Sequence, residues 1–140
     1  MLYVQRLTAT AKLPTLATDW SAGYDLYADE NVTVPPHHGS ILVKTGIAIS
    51  IDPGKCGQIW PRSGMDVKSG VTRGAGLIDS DYRGEINVLL INRTAHAYPI
   101  QRGDRIAQMV LTTAFRDTVF EVDQLPPTSR GTSGFGSTGR

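Results

Sequence analysis

Apolar and polar residues alternate with a period near two along most of the chain, and turn-forming residues interrupt the alternation at short intervals. The longest run is Ser40–Ile51, SILVKTGIAISI. Within it Leu42, Lys44, Ile47, Ile49 and Ile51 form the more apolar of two alternating sets, which predicts a strand with that set turned to a core. Asp52-Pro53-Gly54 closes it in a turn. Shorter runs predict strands at Tyr3–Leu7, Tyr24–Tyr27, Val32–Val34, Gly57–Trp60, Glu85–Asn92, Ala97–Ile100, Ile106–Thr112 and Thr118–Glu121, each bounded by Gly, Pro, Asp or Asn. Helical signal is scarce. Residues 63–68 predict one or two turns at most, with Ser63 placed as the cap and Gly70 as the stop. Short strands at this spacing, without repeats, heptads or charge blocks, predict an all-β sandwich, jelly roll or barrel.

Composition narrows the picture. A chain of 140 residues is one ordinary domain, and its 15 Gly and 8 Pro suit many tight turns. Lys plus Arg number 14 and Asp plus Glu 13, so the net charge of +1 carries no general attraction for nucleic acid or an anionic membrane. Any anion must be bound locally. The single cysteine, Cys56, excludes an internal disulfide and, with only His37, His38 and His96 beside it, argues against a zinc site. No run approaches the roughly 20 apolar residues of a membrane span. The start Met-Leu-Tyr-Val-Gln-Arg has no apolar core of a signal peptide, which predicts a soluble cytoplasmic or nuclear chain that is not secreted. Composition shifts at Thr128. Residues 1–127 are expected to form the β domain, and 128–140, TSRGTSGFGSTGR, a mobile tail that can bury little. Phe135 is the one aromatic there. Glycines admit close backbone approach to phosphate, Ser and Thr donate hydrogen bonds, Arg supplies charge and a ring can stack on a base.

Four further segments have this polar, glycine-marked character. In AGYDLYA (22–28) Asp25 sits inside an apolar strand, where it needs an arginine, a backbone amide or a metal as partner. In PRSGM (61–65) a strand runs into Arg62-Ser63-Gly64 at the start of the short helix, which is either an ordinary cap or a phosphate site. In GLIDSDYRGEI (76–86) two strands flank a turn carrying Asp79, Asp81 and Tyr82, either a polar hairpin loop or a carboxylate poised to act on a water. In RGDRIAQ (102–108) a surface turn is expected to hold an internal Asp104–Arg105 pair. Gln108, on the face of Ile106 and Val110, needs a loop or a ligand as partner.

Taken in order with RGTSGFGSTG (130–139), these segments resemble the five motifs of the homotrimeric dUTP pyrophosphatases, over nearly the whole chain from about Lys12. The resemblance implies a jelly-roll subunit and a homotrimer whose active sites are each shared by three chains. It implies hydrolysis of dUTP to dUMP and pyrophosphate by water attack on the α-phosphorus, with Mg2+. By the same resemblance Asp79 is the catalytic base, and Asp25 lies near the metal through water. Arg62, Ser63, Gly64 and Gln108 contact phosphates. Tyr82 packs under the deoxyribose, where a 2′-hydroxyl would clash, and the strand near Asn87 reads the uracil edge. Arg130, Phe135, Gly136, Ser137 and Thr138 close over the substrate from the tail. Arg73 stands six residues before Asp79, where bacterial-type members often have Asn, so GAGLID looks like the eukaryotic and viral members. The dCTP deaminases share the fold but need a glutamate in the strand that reads Ile86-Asn87-Val88-Leu89-Leu90-Ile91 here, without a carboxylate.

Overall fold

The computed structural model describes residues 1–134. In chain order the elements are β1 (Leu2–Arg6), β2 (Tyr24–Tyr27), β3 (Val32–Val34), β4 (Gly39–Ile51), β5 (Lys55–Trp60), α1 (Ser63–Ser69), β6 (Val71–Arg73), β7 (Leu77–Ile78), β8 (Glu85–Asn92), β9 (Tyr98–Ile100) and β10 (Arg105–Thr113). Two four-stranded sheets run in the orders β1-β4-β8-β6 and β2-β10-β5-β7, and β3 pairs with β9 as a ribbon. Every pairing is antiparallel. The core is built from both sheets and the ribbon: Val43, Ile47, Val88 and Leu90 from one, Leu26, Ile59, Ala107 and Met109 from the other, Val34 and Ile100 from the ribbon. This is the jelly-roll architecture of an all-β domain with one short helix.

β4 carries a correction to the predicted phase. Val43 is fully buried and Leu42 is 55% exposed, with Lys44 exposed too, while Ile47, Ile49 and Ile51 are buried. The register against β8 passes from Lys44↔Asn87 to Ala48↔Glu85, so β4 bulges there by two residues and keeps its odd positions inward. Gly46 sits in the bulge at φ +67, and a Cβ there would lie 2.6 Å from Asp29 Oδ2 and 2.8 Å from Thr8 Oγ1. Only glycine meets both demands. The Gly46 amide donates to Glu85 Oε1 at 2.9 Å, and the Thr45 hydroxyl donates to the Ile86 carbonyl. Asp29 is buried beside it, accepting the Thr8 hydroxyl at 2.5 Å. Burial raises its pKa, but hydrogen bonds from Thr8 and Thr10 and the charge of Arg102 outweigh that, and the carboxyl is held below its ordinary value.

Gly70 ends α1 in the left-handed conformation, φ 63, with its amide bonded to the Met65 carbonyl, as predicted. Ser63 does not cap the helix: Arg62 occupies the N-cap position, extended at φ −84 and ψ 125, and no side chain caps it. Thr118–Glu121 forms no strand; residues 115–127 are exposed and unpaired in any sheet. A strand unnoticed in the sequence, β6, exists because the edge of β8 is available to pair with Val71, Thr72 and Arg73.

Candidate active site

The order β2-β10-β5 brings three distant segments side by side. Gln108 of β10 lies opposite Asp25 on one flank and Trp60 on the other, so the three residues project from one face. β5 then leads through Pro61 into Arg62, Ser63 and Gly64 at the start of α1. Together Ala17, Asp25, Arg62, Ser63, Gly64, Arg105 and Gln108 line an open groove of about 200 Å³. Asp25 is buried and its carboxylate lies between two guanidiniums, Arg62 Nε at 3.4 Å and Arg105 Nη1 at 3.3 Å. Arg62 Nη1 also donates to the Arg105 carbonyl at 3.2 Å, which fixes the fork beside Ser63. Gln108 Nε2 donates to the Pro61 carbonyl at 3.1 Å. A side chain at Gly23 would press within 2.9 Å of Gln108 Oε1, so glycine there leaves the amide its place. The groove combines excess positive charge with a hydroxyl and an amide, the donor set for a phosphate chain.

Two expectations for this region, that Arg105 pairs with Asp104 and that Gln108 shares a face with Ile106, fail for one reason. Between Arg105↔Tyr27 and Ala107↔Leu26, β10 carries one extra residue against β2. The bulge sends Ile106 into the core and turns Arg105 onto the face of Asp25 and Gln108. Arg105 therefore pairs with Asp25, not with Asp104, which instead accepts the Gln101 amide at 2.8 Å and closes the turn.

Asp79, Tyr82 and Asn87 gather in a second cavity, of about 330 Å³, between β7 and β8. Its walls include Leu42, Ile59, Leu77 and Leu89, so it is mainly apolar, a slot for a flat ring. Gly76 lets the loop before β7 approach β5: its carbonyl accepts the Ile59 amide at 2.7 Å. Asp79 is exposed at the end of β7, and its carbonyl accepts the Tyr82 amide at 3.2 Å, closing the turn. The Glu85 carbonyl accepts both the Tyr82 hydroxyl at 3.1 Å and Asn87 Nδ2 at 3.3 Å. Asn87 Oδ1 is buried without a hydrogen-bond partner among the described residues. Arg73 lies outside both sets, its guanidinium 5.8 Å from the Trp60 ring centroid and its Nη1 on the Gly74 carbonyl.

The carboxylate of the slot and the first arginine of the groove are set apart in the chain direction. Ile78 pairs with Gly57, which sets Asp79 level with Cys56, whereas Arg62 comes six residues further along. At about 3.3 Å per extended residue this places Asp79 up to about 20 Å from Arg62. Asp25, Arg62, Ser63, Gly64 and Gln108 are thus brought together in one chain; Asp79, Tyr82 and Asn87 are brought together elsewhere. Arg130 lies in an exposed turn, where its carbonyl accepts the Ser133 amide. Phe135, Gly136, Ser137 and Thr138 lie outside the described residues. Arg105 and Glu85 are site residues that the sequence reading did not single out. The apolar context of Asp25 was a signal that a cation had to face it, but not which one.

The dUTPase family model matches residues 9–139. The chain is 46% identical over 137 residues to the probable deoxyuridine 5'-triphosphate nucleotidohydrolase of Schizosaccharomyces pombe, covering 98% of this chain and 97% of the relative. It is also 46% identical over 138 residues to the deoxyuridine 5'-triphosphate nucleotidohydrolase of Paramecium bursaria Chlorella virus 1, covering 99% and 97%. Among solved structures it is similar to the Staphylococcus bacteriophage 80alpha dUTPase with dUpNHpp, with a TM-score of 0.92 at 27% identity over 100% of this chain and 99% of that one. A mutant dUTPase from phage phi11 of S. aureus, whose structure describes coordination of a structural Mg(II) ion, matches with a TM-score of 0.83 at 25% identity over 91% of this chain and 99% of that one. With the motifs, the jelly roll and these likenesses in agreement, the chain belongs to the dUTPase family.

Proposed function

We propose that this chain hydrolyses dUTP to dUMP and pyrophosphate, which keeps dUTP low and supplies dUMP for thymidylate synthesis. The observation that carries the reading is the pair of complementary half-sites: a cationic groove fit for a triphosphate, and a narrow apolar slot with a carboxylate at its rim. With Asp79 up to about 20 Å from Arg62 in one chain, the two can serve one substrate only if a second chain brings its groove to the first chain's slot. The reading therefore includes a homotrimer with shared sites, in which a third chain contributes residues 128–140 as a lid. Exposed apolar side chains support it: Leu42 and Leu77 at the slot, and Phe115, Val119, Phe120 and Leu125 along 114–127, are available for burial against another chain.

In this reading uracil enters the slot, where β8 and Asn87 read its edge and the Tyr82 ring lies under the deoxyribose. Arg62, Ser63, Gly64 and Gln108 hold the triphosphate. Asp79 takes a proton from a water that attacks the α-phosphorus. The bond from that phosphorus to its bridging oxygen breaks, and pyrophosphate departs with that oxygen. With a carboxylate as base, alignment and charge stabilisation carry much of the rate. Arg130, Phe135, Gly136, Ser137 and Thr138 close over the substrate, with Phe135 stacked on the base and bulk water excluded.

Mg2+ fits the donors only as a companion of the substrate. Among the described residues no three His, Cys, Asp or Glu side chains gather to hold a cation, and both Asp25 oxygens already face arginines. Mg2+ retains its waters and takes ligands largely from phosphates, so Asp25 would touch it through water while the ion offsets phosphate charge. Cys56, buried and free, supports a reducing compartment, the cytoplasm or nucleus, for a soluble protein. No helix among the described residues is long and apolar enough to cross a membrane.

The test is pyrophosphate release from dUTP, dTTP, dCTP and UTP in parallel, with the native mass measured by light scattering. Release confined to dUTP by a particle of three chains is the expected result. No release from dUTP, or equal rates on all four, overturns the activity; full activity in a monomer overturns the shared site.

A further inference from the structure

The Tyr82 ring occupies the space that any side chain at position 84 would need. A Cβ built on Gly84 collides with the Tyr82 hydroxyl and lies 2.6 Å from Cζ and 3.0 Å from Cε2 of the same ring. Gly84 is not among the residues with positive φ, so what calls for glycine there is room for the Tyr82 ring and not a left-handed backbone. The ring lies back over the hairpin with its hydroxyl on the Glu85 carbonyl at 3.1 Å. Glu85 is itself fixed, because its Oε1 accepts the Gly46 amide in the β4 bulge, where no other residue fits. Tyr82 is 46% exposed, so little packing would restrain its ring if this seat were lost.

We infer that Gly84 is a positioning residue for substrate selection: its missing side chain lets the Tyr82 ring fold onto the Glu85 carbonyl, and that posture excludes nucleoside triphosphates bearing a 2′-hydroxyl. The inference rests on the sugar contact proposed above for Tyr82. A methyl group at 84 takes the place of the ring's outer edge, so the ring swings outward and the space beneath the sugar opens. Selection at the 5-position of the base, made by the backbone of the slot, stays. Gly84 and Tyr82 then act as one unit, and their effects on sugar selection do not add.

The experiment compares wild type, Gly84→Ala, Tyr82→Ala and the double variant by kcat/KM on dUTP, UTP and dTTP, with melting temperatures recorded alongside. Expected in Gly84→Ala is a fall of about tenfold or more in the dUTP/UTP ratio, with the dUTP/dTTP ratio held. The double variant should match Tyr82→Ala. An unchanged dUTP/UTP ratio in Gly84→Ala, an equal fall in both ratios, or a further loss in the double variant overturns the inference. Should Gly84→Ala not fold, Tyr82→Phe carries the same test: it removes only the hydroxyl anchor, and a fall of about two- to tenfold in the dUTP/UTP ratio is expected; no fall overturns the inference. If wild type shows no hydrolysis of dUTP, the proposed activity itself fails; if it hydrolyses dUTP and Tyr82→Ala keeps its dUTP/UTP ratio, the Tyr82 sugar contact fails. Either result is distinct from a failure at Gly84 alone.

Discussion

Mixing two inactive variants should restore activity if each site draws its slot and its groove from different chains. Asp79→Asn removes the base at the slot and should cost about 10²–10⁴-fold. Arg62→Ala removes a charge-assisted phosphate contact worth about 1.5–3 kcal/mol, which is about 10- to 150-fold. It leaves Asp25 its second partner, Arg105 at 3.3 Å, so the groove keeps its fold. In one chain the two positions are up to about 20 Å apart in the direction of β5, too far to serve one α-phosphorus with a water held about 3–3.5 Å from it. In a closed ring of three chains each site pairs a slot with the groove of one defined neighbour. Random 1:1 mixing makes half the slots intact and half the neighbouring grooves intact, so about one quarter of the sites regain both.

The assay is pyrophosphate release from dUTP after the two variants are unfolded and refolded together, with hybrid assembly verified by native mass spectrometry. About a quarter of wild-type turnover is expected, several times the mean of the two parents. If hybrids form and turnover stays at the parental mean, Asp79 and Arg62 act within one chain and the shared-site reasoning is wrong.

Three other outcomes follow from the geometry. Deleting residues 130–140 should change the stability of the unliganded protein by no more than about 0.5 kcal/mol, because residues 130–134 are exposed and surface changes cost little; kcat/KM should collapse, and a retained rate would remove the lid from the mechanism. Asp25→Asn should destabilise by about 1–3 kcal/mol, below the range for a fully buried pair because Arg62 and Arg105 remain 30% and 47% exposed; chemical denaturation reads this, and no loss would mean that the two arginines do not need their counter-charge. Asp29, whose folded pKa is lowered, should contribute stability that is full above the unfolded value of about 3.9 and lost as pH falls through the lower folded value. Melting temperatures measured downward from about pH 5 should therefore fall less steeply in Asp29→Asn, and an identical slope would refute the assignment.

Short-range patterns carried a large part of this protein. The strands Tyr24–Tyr27, Val32–Val34 and Glu85–Asn92, the turn after Ile51 and the stop at Gly70 all follow from local preferences, since period-two alternation and left-handed glycine need no distant partner to be recognised. The five ordered motifs made the family legible as well, because their residue types and order survive whatever the fold does between them. The facing of residues across a bulge was not legible. Alternation assigns faces only while pairing stays in register, and the extra residues near Gly46 and between Arg105 and Ala107 exist only against β8 and β2. Hence Arg105 turned to Asp25, whereas Val43 and not Leu42 entered the core because the two-residue bulge leaves the odd positions of β4 inward throughout. Pairing itself was equally out of reach. Val71–Arg73 is a strand because β8 offers an edge, whereas the more β-prone Thr118–Glu121 finds no partner among the described residues. The separation of Asp79 from Arg62 likewise arises from the pairing of β7 with β5, which closes only when distant segments meet.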